Sequence, residues 1–174
     1  MDLSHTVLFM SSMVRKLQIA VIGDANPPTQ VAGWAEEVGR RLAQSGAVVV
    51  CGGLGGVMAA AASGAAVAGG LTVGILPTYD AATANPSIAI TIASGMGHAR
   101  NVMVVASGDA VIALPGSYGT LSEVALALKL GKAVIGLQAW TDVPGVRVAR
   151  TPAEAVELAL SAAQAIGKSP VVTA

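Results

Sequence analysis

The sequence is poor in cysteine, histidine and charge, and each shortage excludes a class of site or partner. Cys51 is the only cysteine, which excludes an internal disulfide and a zinc site built from several cysteines. The two histidines, His5 and His98, are too few for a metal centre, so we expect no structural metal. Ten basic and ten acidic residues cancel, so no chain-wide positive field is available. We therefore expect neither nucleic acid nor a membrane as a partner.

Charged residues make up only 11% of the chain, whereas ordinary soluble domains carry about 25%. Hydrophobic residues make up 53%, which excludes an intrinsically disordered chain. So few charges barely cover a lone domain of this size. We therefore expect some apolar surface to be buried between the subunits of a homo-oligomer, a dimer or a tetramer.

The apolar runs lack the pattern of a secretory signal or a membrane span. Residues 7–10 are apolar, but they follow Asp2 and lack the basic start of a signal peptide. Residues 57–68 are shorter than the roughly 20 apolar residues of a span, and Gly64 interrupts them. These patterns predict a cytoplasmic protein.

Short apolar runs alternate with helix-like stretches along the whole chain. Strands are predicted over residues 17–23, 47–51, 71–76, 88–92, 110–114, 133–137 and 146–149. Helices are predicted over residues 31–44, 57–68, 96–107 and 118–130, and from residue 152 onward. This order predicts an α/β fold, a single-domain Rossmann-like three-layer sandwich whose mostly parallel sheet has helices on both faces.

The predicted domain spans residues 17–168, after a flexible amino-terminal arm over 1–16 and before a tail over 169–174. In such a sheet, ligands bind at the carboxyl ends of the strands, where the crossover direction reverses. Four loops follow predicted strands, and these loops contain the candidate site residues.

The first loop, residues 52–56, joins a predicted strand to a predicted helix. Its candidate residues are Gly52, Gly53, Gly55 and Gly56. Glycines let backbone N–H groups approach a phosphate, and the helix start adds positive partial charge. Pro77, rather than an acidic residue, ends the next strand, so we expect no NAD. The alternative is that these glycines only permit a tight turn and close packing of the helix on the sheet.

The second loop, residues 115–123, lies at another junction of strand and helix. Its candidate residues are Gly116, Ser117, Tyr118, Gly119, Thr120 and Glu123. The glycines allow several N–H groups to converge, and the helix dipole points at the same place. The alternative is a capping box, in which Thr120 and Glu123 satisfy free N–H groups of the helix. If the first and second loops converge across neighbouring strands, they form one cradle for a monophosphate ester.

Two further loops add charged candidates. In residues 95–101, Arg100 is placed to clamp a phosphate and Met96 is a candidate contact. The alternative for this arginine is a surface ion pair with Asp109 or Asp80.

The loop after the first predicted strand contains the candidates Gly23 and Asp24. The Asp24 carboxylate either accepts a hydrogen bond from a ligand hydroxyl or starts the turn before Pro27.

Three motifs together resemble the lonely-guy superfamily, once described as possible lysine decarboxylases: GGLGGVM at 52–58, GMGHARN at 95–101 and LPGSYGTLSE at 114–123. The resemblance covers nearly the whole chain from residue 17. Enzymes of this family hydrolyse the N-glycosidic bond of cytokinin nucleoside monophosphates. In such an enzyme, the resemblance implies catalytic roles for Arg100 and Glu123. It implies phosphate binding by Gly116, Ser117, Gly119 and Thr120.

Ser117 stands where the enzyme motif has its second glycine, and ARN replaces the arginine-lysine pair of the enzymes. The GTLSE run at 119–123, together with ARN, resembles a shorter subgroup that includes a molybdenum cofactor carrier protein, a tetramer that binds a pyranopterin monophosphate. The resemblance implies binding, protection and carriage of a phosphorylated heterocycle, with molybdenum cofactor as the leading ligand and molybdoenzymes as its recipients. The alternative is a nucleoside 5′-monophosphate phosphoribohydrolase. A lysine decarboxylase is disfavoured because no lysine follows a predicted strand on the ligand-facing side.

Overall fold

The computed structural model describes residues 15–166, in which seven strands alternate with five α-helices. The strands are β1 (Gln18–Ile22), β2 (Val48–Cys51), β3 (Thr72–Leu76), β4 (Ile90–Ala93), β5 (Ala110–Ala113), β6 (Ala133–Leu137) and β7 (Val146–Ala149). The helices are α1 (Thr29–Gln44), α2 (Val57–Val67), α3 (Asn101–Ser107), α4 (Tyr118–Lys129) and α5 (Pro152–Ile166). Of the predicted arm only residues 15 and 16 are described, and the predicted tail lies outside the described residues.

The strands form one sheet in the order β4-β3-β2-β1-β5-β6-β7, and every neighbouring pair is parallel. The central strand β1 pairs on both sides, with Ile19 opposite Val49 of β2 and opposite Ala110 of β5. The predicted α/β class is therefore confirmed, and the sheet is entirely parallel rather than mostly parallel.

Alternate side chains of the strands pack into two separate cores, one on each face of the sheet. Ile19 and Val21 point into the first core, together with residues of α1, α2 and α5. Ala20 and Ile22 point into the second core, together with residues of α3 and α4. Because both faces are covered at the centre of the sheet, β2, β5 and β6 are apolar along their whole length, as expected for a parallel sheet.

Helices α1 and α2 approach closely because glycines face backbone carbonyls across their contact. A Cβ on Gly39 would lie 1.9 Å from the carbonyl oxygen of Ala61. A Cβ on Gly64 would lie 1.9 Å from the carbonyl oxygen of Glu36. One face of the Ala-rich helix α2 is thus buried against α1 within the same chain.

The direction of the crossovers reverses between β1 and β5. From β1 the chain moves outward through β2, β3 and β4, and it then returns to the other side of β1. The loops at this switch point are joined directly, since the Asp24 N–H donates to the Pro115 carbonyl at 3.2 Å. Open α/β sheets bind ligands at such a point. Among the helices within residues 15–166, none is both long and apolar enough to cross a membrane.

Candidate functional site

A cavity of about 370 Å³ lies at the carboxyl ends of β1, β2 and β5. All four predicted loops contribute to its wall. The predicted site residues that line it are Gly23, Asp24, Gly52, Arg100, Ser117, Gly119, Thr120 and Glu123. The first and second loops therefore share one cavity. The sequence interpretation placed them on neighbouring strands, but β1 lies between β2 and β5.

Arg100 and Glu123 form a buried pair in the wall of this cavity. Each residue is only 8% exposed, and Nη1 of Arg100 lies 3.7 Å from Oε1 of Glu123. The same Nη1 donates to the Asn101 side-chain oxygen. The Arg100 Nε is buried and has no hydrogen-bond partner among residues 15–166. Such a guanidinium is poorly satisfied by the protein, because buried donors are normally paired.

Burial changes the protonation of both members of the pair. It raises the pKa of Glu123 to about 7, and the nearby Arg100 charge offsets only part of this effect. Burial also lowers the pKa of Arg100, while the Glu123 carboxylate opposes that change. Near neutral pH the Glu123 carboxyl is therefore divided between its acid and carboxylate forms.

Two predicted alternatives for Arg100 are wrong. Asp109 forms its ion pair with Arg15 instead. Asp80 accepts from the Ala82 N–H at 2.9 Å and caps a short 3-10 helix. Arg100 instead faces the cavity beside Glu123.

The four glycines of the first loop have different roles. Gly52 lines the cavity, and a Cβ there would lie 2.6 Å from Nη2 of Arg100. Gly53 has φ +75°, and its Cβ would meet Leu76 at 2.8 Å. A Cβ on Gly56 would lie 2.4 Å from the Asp24 carbonyl oxygen. Gly52 thus makes room for the guanidinium, whereas Gly53 and Gly56 permit the turn and the packing that the alternative interpretation predicts.

Gly55 lies in open space, with no atom closer than 4.0 Å to an added Cβ, and it is not part of the cavity wall.

The first N–H group of α2 is bonded within the protein, so it is not available to a ligand. The Val57 N–H, the first of the helix, donates to the Asp24 carbonyl at 2.9 Å. Val57 itself is fully buried. The loop after β1 therefore packs against this helix start. Gly56 leaves room for the loop, because a Cβ there would clash with its backbone.

The start of α4 is open to the cavity. Its first three N–H groups, those of Tyr118, Gly119 and Thr120, have no partner within the helix, and no side chain caps it. The predicted capping box is wrong, because Thr120 is the third helical residue and Glu123 pairs with Arg100 instead. These free N–H groups and the helix dipole favour an anion here.

Asp24 performs the structural role that the sequence offered as an alternative. Its Oδ1 accepts from the Asn26 N–H at 2.9 Å and forms the turn before Pro27. Its backbone also joins the loops after β1, β2 and β5 through the bonds to Val57 and Pro115. The residue lines the cavity as well, so a ligand contact remains a prediction.

Besides Gly53, Gly55 and Gly56, three further predicted residues lie outside the main cavity. Met96 is 51% exposed and Tyr118 is 89% exposed. Gly116 lies against Thr120, since a Cβ there would be 2.2 Å from the threonine hydroxyl. A second cavity of about 280 Å³ is lined by Gly116, Ser117, Tyr118, Leu121 and Trp140.

Sequence reasoning missed Asn101, His98 and Trp140. Asn101 is buried against Arg100, and both Asn101 and His98 line the main cavity. Their position within the GMGHARN run was the available signal. Trp140 has φ +63°, and its indole N–H donates to the Leu114 carbonyl at 3.0 Å, next to the second loop. No sequence pattern reveals that conformation in a bulky residue.

A doubly wound parallel sheet with a glycine-lined cavity at its switch point defines a Rossmann-like α/β protein. Within that class, the comparison with known families identifies one group. The chain belongs to the SLOG cluster4 family, whose model matches residues 16–166. The match confirms the resemblance to lonely-guy proteins that the three motifs indicate.

Three relatives illustrate the family. An uncharacterised protein of Archaeoglobus fulgidus is 46% identical over 148 residues, which cover 85% of this chain and 97% of the relative. The molybdenum cofactor binding protein of the phototrophic bacterium Rippkaea orientalis is 39% identical, with a TM-score of 0.79 over 85% of this chain and 98% of its own. The molybdenum cofactor carrier protein of Chlamydomonas reinhardtii is 32% identical, with a TM-score of 0.79 and the same two coverages.

Proposed function

We propose that this protein binds, protects and carries a phosphorylated heterocyclic cofactor, with molybdenum cofactor as its cargo. One observation carries the proposal. A buried guanidinium with an unpaired Nε, that of Arg100, borders the same cavity as the free N–H groups at the start of α4. The similarity to a cofactor-binding protein and to a cofactor carrier protein supports this ligand class.

The donors of the cavity fit a phosphate monoester joined to a ring. The N–H groups of Gly119 and Thr120, with the Arg100 guanidinium, would hold the phosphate. Leu54 and Met58 supply apolar wall for the ring. The volume of about 370 Å³ lies within the range of about 300–1,000 Å³ that is typical of small-molecule sites.

The phosphoribohydrolase alternative uses the same cavity but is not favoured. The two relatives described by their ligand are a cofactor-binding protein and a cofactor carrier protein. Incubation with adenosine monophosphate and its prenylated analogues separates the two functions. Release of free base by the wild type, abolished in Glu123→Ala, would support the hydrolase instead.

The proposed function is tested by the lifetime of released cofactor. Molybdenum cofactor freed from a molybdoenzyme is incubated with the purified protein, and the surviving cofactor is measured by its ability to activate an apo-molybdoenzyme. We expect a longer lifetime with the wild type than with buffer, and loss of this protection in Arg100→Ala. Arg147→Ala is the matched control, because Arg147 lies on the edge strand β7, away from the cavity. Equal decay with wild type and buffer, together with no binding, contradicts the proposal.

We further propose that the protein is a homo-oligomer, a dimer or a tetramer, that passes its cargo to molybdoenzymes. Apolar side chains are exposed on both edge strands, with Ile90 at 46% on β4 and Val148 at 42% on β7. Val67 at the end of α2 is 82% exposed. Multi-angle light scattering at micromolar concentration tests the assembly, and a monomer there contradicts it.

A further inference from the structure

Glu123 places a buried acidic group beside the one arginine of the cavity wall, in which Asp24 is the other acidic side chain. Its side chain is 10% exposed, and it lies one helical turn beyond the free N–H groups of α4. The Arg100 guanidinium is 3.7 Å away, longer than a hydrogen bond. The pair is therefore held by charge, with the guanidinium bonded to Asn101 and its Nε left unpaired.

Among the described residues, Cys51, Asp24 and His98 are further titratable side chains near Glu123. The Cys51 thiol at the end of β2 is buried, which raises its pKa to about 11 and keeps it neutral. Asp24 is half-buried and His98 is exposed, and both line the cavity. Within residues 15–166, Arg100 is thus the one buried cation facing this carboxyl.

A doubly charged phosphate and an ionised Glu123 would compete for the same guanidinium. Repulsion between like charges in a buried site is screened much less than in water. One negative charge is removed most easily by a proton on the carboxyl. Burial already raises the pKa of Glu123 to about 7, so protonation near neutral pH needs little further shift. Once Glu123 is neutral, the Arg100 charge is free to pair with the ligand.

We propose that Glu123 takes up a proton when the site binds a dianionic phosphate monoester, so that the bound state contains its neutral acid form. This inference rests on the anion site of the proposed function. It assigns to Glu123 a role in binding that differs from water activation. The bound state then contains the ligand dianion, the Arg100 cation and a neutral carboxyl.

Sulfate is the probe of choice, because it stays dianionic across the pH range tested and does not itself titrate. Its affinity is measured by calorimetry between about pH 6 and pH 9 for the wild type and Glu123→Gln. For the wild type we expect the dissociation constant to rise by up to about tenfold per pH unit above pH 7. For Glu123→Gln we expect a constant affinity over this range, because the amide mimics the neutral acid.

Two control variants separate Glu123 from other charges. Glu157→Gln makes the same change at an exposed position of α5, and it should behave as the wild type. His98→Gln removes the imidazole that lines the cavity and should keep the pH dependence. A pH dependence that survives in Glu123→Gln but disappears in His98→Gln overturns the inference.

Proton uptake by the wild type gives a second measurement that needs no variant. Calorimetry at pH 8 in buffers of different ionisation enthalpy should report close to one proton bound per sulfate. Tight sulfate binding with no proton uptake overturns the coupling and leaves the proposed function standing. If neither sulfate nor ribose 5-phosphate binds at any pH, both the inference and the anion site are contradicted.

Discussion

The backbone of Gly52 lies against the guanidinium of Arg100, so that a Cβ on Gly52 would be 2.6 Å from Nη2 and 2.9 Å from Cζ. Gly52→Ala must therefore displace the guanidinium and the Met58 sulfur, which would lie 2.7 Å from the same Cβ. The φ of Gly52 is not positive, so the substitution adds no backbone strain. We expect an affinity for ribose 5-phosphate lower by about tenfold or more, because a charge-assisted contact is lost. Calorimetry measures the affinity and thermal unfolding checks that the fold is retained. Unchanged affinity in a folded variant contradicts this role for Gly52.

Two glycines of α1 provide opposite outcomes for the same substitution. Gly33 is exposed and has no atom within 4 Å of an added Cβ, so Gly33→Ala should stabilise the protein by up to about 1 kcal/mol. Gly39→Ala places its Cβ 1.9 Å from the Ala61 carbonyl oxygen and should cost about 1–3 kcal/mol. Urea unfolding measures both free energies. Equal effects would contradict the close contact between α1 and α2.

The raised pKa of Glu123 makes stability depend on pH. In the unfolded chain this carboxyl titrates near its ordinary value of 4.5, and in the folded protein near 7. The folded state binds more protons between these values, so stability falls as pH rises from about 4.5 to 7 and stays lower above 7. The loss is about 3 kcal/mol at most.

Glu123→Gln has no such loss. Its free energy of unfolding relative to the wild type should therefore increase between pH 5 and pH 8, whereas Glu157→Gln should show no such change. Urea unfolding at the two pH values decides the matter, and a relative stability of Glu123→Gln that is the same at both contradicts a buried carboxyl with a raised pKa.

Asp24 is the second acidic side chain in the cavity wall, so its charge opposes an incoming anion. Asparagine preserves the turn, since its side-chain oxygen also accepts from the Asn26 N–H. We expect Asp24→Asn to bind ribose 5-phosphate a few-fold more tightly at low salt, with the gain reduced at high salt. Weaker binding would show instead that the Asp24 carboxylate contacts the ligand directly.

The central strands of the sheet were predictable because they are buried on both faces. Runs such as Val48–Cys51 are apolar throughout and are followed by glycine or proline. The positions of these strands therefore follow from the apolar runs and from the residues that end them. The predicted helix over residues 96–107 is instead a 3-10 turn over Gly97–Arg100 followed by α3. Gly95 and Gly97 have positive φ, and a glycine's φ cannot be read from sequence.

The site was predictable as a set of loops, but not residue by residue. Parallel strands bring their carboxyl ends to one edge, so loops after β1, β2 and β5 had to meet. Which glycine of a run faces the cavity depends on what packs behind it, as the difference between Gly52 and Gly56 shows. The ion-pair partner of Arg100 could not be predicted from the residue types either, because Glu123 and Asp109 are both acidic. Only the fold shows that Glu123 lies beside Arg100, whereas Asp109 pairs with Arg15.

A crystal structure of the protein with ribose 5-phosphate tests the account most directly. We expect the phosphate to lie within hydrogen-bond distance of the Gly119 and Thr120 N–H groups and beside the Arg100 guanidinium. A phosphate seated at another part of the surface, or a main cavity that excludes it at saturating concentration, would contradict the account.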